Sequence, residues 1–116
     1  MENSNTANIL SVLDSYTMEI AEDISKKLAD DFRQRRIEKN LTRNQIAAKA
    51  KISLSNVTRF EQKGLISLSN LIALAMALGY RHEIKSIFES PKYATMEELT
   101  QIRHNMGKKR AYSSKR

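Results

Sequence analysis

Leu41–Gly64, LTRNQIAAKAKISLSNVTRFEQKG, is the stretch from which the rest of the chain is read. Thr42 has a hydroxyl that can accept from a free backbone N–H at the start of a short helix. Ile46, Ala47 and Ala50 then fall three and four apart, on one face. Ile52 is a lone apolar residue in a short connection, and Ser53 caps a second helix. Val57 and Phe60 give that helix an inner face at i, i+3. Its outer face carries Leu54, Ser55, Asn56, Thr58, Arg59 and Gln62. The pattern predicts two short, tightly joined helices, with a small alanine where they cross.

Upstream, Met1–Asn8 is polar and expected to fray. Ile9, Leu10, Val12 and Leu13 are too apolar for a free tail; they predict a short helix or strand, packed on its own domain or on a second copy. Thr17–Asn40 reads as one long helix or two abutting ones, with Ile20, Ile24, Leu28, Phe32 and Ile37 in an apolar line. Acidic residues come early in it and basic ones late, which suits the helix dipole. Asn40 can end it in a left-handed conformation.

Downstream, Gly64 stops the second short helix, and Ser67 or Ser69 caps the next. Leu68, Leu71, Ile72, Leu74, Ala75 and Leu78 are apolar almost all round and predict a buried helix, ended by Gly79. His82–Phe88 predicts a last short helix with Ile84, Ile87 and Phe88 inward. Pro91 marks a boundary. Thr95 with Glu98 forms a capping box for a further helix, with Met96, Leu99, Ile102 and Met106 on one face and Gly107 as its stop. The end, KKRAYSSKR, has five basic residues and no acid, and is expected to be disordered. The expected class is all-α: an extension at 1–24, a five-helix domain at 25–88, a linker and helix at 89–107, and a basic tail at 108–116.

With 116 residues the chain supports one domain with extensions. Its net charge of +7 and isoelectric point of about 9.8 favour nucleic acid or another anionic surface. It has no cysteine, so neither a disulfide framework nor a thiolate metal site is expected, in keeping with a reducing cytosol. No apolar run approaches the roughly 20 residues of a membrane span, and the N-terminus does not read as a signal peptide. His82 and His104 lie in separate segments without partners, the acids show no metal-ligand spacing, and three glycines make no phosphate loop. Catalysis, cofactors and metals are therefore not expected.

Two short helices with a polar outer face on the second describe a helix-turn-helix, whose second helix enters the DNA major groove. From roughly Ser25 to Phe88 the chain resembles the Xre/Cro group of phage repressor-like DNA-binding domains. The resemblance lies in LTRNQIAAKAKISLSNVTRFE and in the downstream SLSNLIALAMALG. It departs from that group at Arg43, where glutamine is usual, and at Lys51, where the turn usually has glycine. The resemblance implies a cytoplasmic homodimer that recognises a palindromic double-stranded DNA operator and represses by occupancy.

The base-contact candidates are Leu54, Ser55, Asn56, Thr58 and Arg59; Arg59 can pair two donors with guanine O6 and N7. The phosphate-contact candidates are Arg36, Thr42, Arg43, Ser53 and Lys63. Ser90, Pro91, Glu97, Glu98, Leu99 and the run Lys108–Arg110 are similar to antitoxin regulators encoded beside HipA-type kinases. That similarity implies a kinase toxin as partner and control of the protein's own operon. The alternatives are a free-standing or phage-type repressor, or a helical adaptor for protein or RNA.

Overall fold

The computed structural model describes residues 2–114, with side chains described for residues 20–109. The described residues form six helices and no strand: α1 Glu2–Glu38, α2 Arg43–Ala50, α3 Leu54–Lys63, α4 Leu68–Ala77, α5 Arg81–Lys85 and α6 Met96–Ser114. They fall into two compact units, Met1–Ile84 and Lys85–Arg116.

In the first unit α1 packs on α3, and α2 packs on both α3 and α4. The core consists of Ala29 and Phe32 from α1, Ile46 and Ala47 from α2, Val57 and Phe60 from α3, and Leu74 and Leu78 from the end of α4. Phe32 and Phe60 meet with ring centroids 5.5 Å apart at a tilt of 53°, the offset geometry that aromatic pairs favour.

Helices α2, α3 and α4 are short because their ends are strongly specified. Thr42 accepts from the Gln45 N–H at 3.1 Å while the Gln45 side chain accepts from the Thr42 N–H at 2.8 Å, a complete capping box. Ser53 and Ser67 each accept from the N–H three residues on, both at 3.2 Å. At the other ends, Asn40, Lys51, Gly64 and Gly79 all take positive φ. After Asn40, Lys51 and Gly79, the next residue's N–H bonds back five positions, which closes a Schellman turn. Lys51, with φ 58 and ψ 43, bears the left-handed conformation itself, at about 1–2 kcal/mol. Lys39 further ties the end of α1 to α4, its Nζ donating to the Leu78 carbonyl at 2.9 Å.

Several expectations are corrected. The sequence from residue 2 to 38 has no glycine or proline, and α1 runs through it unbroken, where a short separate element at Ile9–Leu13 was one expectation. The side chains of Ile9–Leu13 lie outside the described residues. The apolar line of α1 is also divided: Phe32 is buried, whereas Ile20, Ile24, Leu28 and Ile37 are exposed. In α4 only Leu74 is fully buried, and Leu68 at its first turn is 70% exposed.

The fifth helix ends at Lys85, so Ile87 and Phe88 face solvent at 58% and 95% exposure instead of pointing inward. In the second unit Thr95 caps α6 by accepting from the Glu98 N–H at 3.1 Å, and the Glu98 carboxylate accepts from Ala94 N–H at 3.0 Å. Gly107 does not stop that helix, which carries the basic run onward to Ser114. A helix already nucleated gains a bond for each residue it adds, and that offsets the roughly 0.5–1 kcal/mol penalty of one interior glycine.

Candidate nucleic-acid interface

The interface is organised from beneath by Glu61, whose side chain is only 1% exposed. Arg36 of α1 grips it with two donors, Nε to Oε2 at 2.7 Å and Nη2 to Oε1 at 2.9 Å. The remaining Arg36 nitrogen, Nη1, donates to the Leu41 carbonyl at 2.8 Å. Arg43, the first residue of α2, adds its Nε to Glu61 Oε1 at 3.1 Å. Burial alone pushes the Glu61 carboxyl pKa up, but the hydrogen bonds and charges of Arg36 and Arg43 outweigh it and hold the group below the usual carboxylate range. One carboxylate thus locks α1, α2 and α3 together.

Arg36 was expected at the DNA backbone. It is buried instead, at 8% exposure, with every guanidinium nitrogen engaged inside the protein. It follows Ala29 and Phe32 at helical spacing and so lies on the inner stripe of α1. Arg43 is half-buried, with its Nε taken, while its two terminal nitrogens make no hydrogen bond among the described residues.

The outer face of α3 matches its expected composition. At 100° per residue, Ser55, Arg59 and Gln62 lie opposite Val57 and Phe60, and all three are exposed. Leu54 is 42% exposed at the first turn, and Asn56 and Thr58 sit half-buried on the flanks. Arg59 makes no ion pair among the described residues; Glu61, the acid nearest in sequence, lies two positions on and on the other side of α3, against Arg36 and Arg43. Thr42, Ser53 and Lys63 are exposed at the ends of α2 and α3, with the Ser53 hydroxyl already occupied as a cap.

Sequence reasoning missed two parts of this surface. One is Glu61 itself. The other is an open groove of about 350 Å³ beside α3, lined by Asn56, Arg59, Leu65, Ile66, Ser67 and Asn70. It carries the polar surface of α3 on to the first turn of α4. A serine cap with Asn three residues on was visible in the sequence, but not its position beside Arg59.

Residues 32–84 match the helix-turn-helix family model. The match spans the last turns of α1 through α5, all of the Glu61 network and the whole outer face of α3. It indicates a DNA-binding transcription regulator. No curated protein matches the chain. Within this helix-turn-helix, α2 and α3 are the paired helices and α3 is the one with the polar outer face. No helix among the described residues is long and apolar enough to cross a membrane.

Proposed function

We propose that the protein is a sequence-specific repressor that binds a palindromic double-stranded operator as a cytoplasmic homodimer, with α3 in the major groove. The observation that carries this reading is Arg59: exposed, without a carboxylate partner among the described residues, and set between Ser55 and Gln62 on the face opposite the core. Leu54, Ser55, Asn56, Thr58 and Arg59 face the bases; Thr42, Arg43, Ser53 and Lys63 flank them toward the phosphates. Repression follows from occupancy, since a dimer seated on a promoter excludes polymerase.

Binding to an operator selected from a random duplex pool tests this. Arg59→Ala is expected to lower operator affinity by about 1–3 kcal/mol and to relax preference at one base pair per half-site. Arg43→Ala is expected to weaken operator and scrambled duplex alike and to reduce the salt slope by about 1. If no sequence is selected above the pool, or if Arg59→Ala weakens both duplexes equally, base reading by α3 is rejected and a sequence-indifferent adaptor takes its place.

The proposed setting is an antitoxin that represses its own operon and binds a HipA-type kinase toxin. It is supported by the C-terminal similarity around Ser90–Leu99 and Lys108–Arg110. Expression with the neighbouring gene is expected to yield a stable complex. A neighbouring frame unrelated to kinases, or one that does not co-purify, would leave a free-standing repressor.

A further inference from the structure

Ile20, Ile24 and Leu28 follow one another at four-residue spacing on α1 and are 38%, 54% and 48% exposed. Ala29, Phe32 and Arg36, which α1 contributes to the interior, lie about a third of a turn away round the helix. The exposed stripe is therefore a second apolar face, which meets the core stripe only at Leu28, one turn before Phe32. Covering it is favourable by roughly 25 cal/mol per Å² of apolar surface.

The two flanks of the stripe differ. On one side stand Asp23 and Lys27, of opposite sign; on the other stand Ala21 and Ser25, without charge. When two copies of a helix pack antiparallel, each flank meets its own counterpart; when they pack parallel, it meets the opposite flank. Flanking charges of this kind set partner orientation in paired helices. An antiparallel crossing at Ile24 brings Asp23 near Lys27 of a second copy, twice over, against a single Asp23–Asp23 approach at the same offset, and places Ile20 against Leu28 of that copy. A parallel pair leaves both charges facing Ala21 and Ser25. Within the chain Lys27 pairs with Asp31 at 2.7 Å, but these side chains are 74% and 49% exposed. Such a pair contributes little and leaves Lys27 free to turn.

We propose that the stripe Ile20–Ile24–Leu28 is where two copies of this chain meet, antiparallel and crossing at Ile24. The proposal rests on the dimeric reading above and names its surface.

The full chain has no cysteine, so single cysteines report on the contact directly. Under mild oxidation Ile24→Cys is expected to cross-link to itself. Ile20→Cys and Leu28→Cys are expected to link to each other when mixed, and neither to link alone. In sedimentation equilibrium Ile24→Glu is expected to raise the dimer dissociation constant about 100-fold or more, the loss typical of an interface hot spot. Its melting temperature at monomeric dilution is expected to match wild type, since Ile24 is outside the core.

A wild-type dimer that survives Ile24→Glu and gives no Ile24→Cys cross-link overturns this surface while leaving the dimeric reading intact. Self-linking by all three cysteines overturns the antiparallel arrangement. A wild-type chain that is monomeric throughout, its stripe covered by nothing or by its own α6, overturns both. If Ile24→Glu fails to fold, the cysteine pattern decides.

Discussion

Glu61→Ala is expected to destabilise the folded protein by about 3–5 kcal/mol, as removal of one partner from a buried ion pair does. The loss comes less from the missing attraction than from what is left behind. The Arg36 side chain is 10% exposed, and without Glu61 two of its donor nitrogens, Nε and Nη2, have no acceptor. The charge then stays buried unpaired, or the last turns of α1 open to let it out. Urea unfolding of both proteins measures the difference. A loss below about 1 kcal/mol, the range of exposed pairs, would show that the network is not buried in solution. Removing both partners, as Arg36→Met with Glu61→Leu, is expected to recover most of the stability, because no unpaired charge remains.

The same network sets a pH dependence. The folded pKa of Glu61 is lowered, so its contribution is present above the unfolded carboxylate pKa and is lost as pH falls through the folded one. The acid limb of the wild-type stability curve is therefore expected to be steeper than that of Glu61→Ala. Equal limbs would remove Glu61 from acid unfolding.

What could be read from the sequence was mostly what is decided within four or five residues. Thr42, Ser53 and Gly64 announce helix ends because a cap is a bond to a near neighbour, and Val57 with Phe60 announces a buried face by spacing alone. The helix-turn-helix at Leu41–Gly64 is built almost wholly from such signals. The Glu61 network is not: Arg36 and Glu61 stand 25 positions apart, and nothing near either one marks the pairing. A trace did exist, since Arg36 continues the Ala29–Phe32 stripe, but an arginine among arginines reads as surface. Ile87 and Phe88 failed in the opposite way. Apolar residues predict burial only where a partner surface exists, and whether one does is a property of the fold.

Gly64 combines both kinds of information, and Gly64→Ala is the second substitution expected to have a large effect. As the stop of α3 it has φ +68, where any side chain meets a penalty of about 1–2 kcal/mol. That much is visible in the sequence. The fold adds a close approach: a Cβ there would lie 3.2 Å from the Ser25 carbonyl carbon and 3.3 Å from both the Ser25 oxygen and the Lys26 nitrogen. All three are backbone atoms inside α1, which cannot swing aside as a side chain could. Pushing α1 away from α3 strains the contact between Phe32 and Phe60, and overpacking of this kind adds about 1–3 kcal/mol. The total expected is about 2–5 kcal/mol, read by urea unfolding. Gly107→Ala is the control: nothing lies within 4 Å of its Cβ position, it sits inside α6, and the change is expected to stabilise that helix by about 0.5–1 kcal/mol. If Gly64→Ala loses no more than the left-handed penalty, α1 and α3 are not in close contact in solution. A larger loss, accompanied by weaker operator binding per folded molecule, would show that the seating of α1 on α3 also sets how Arg59 is presented.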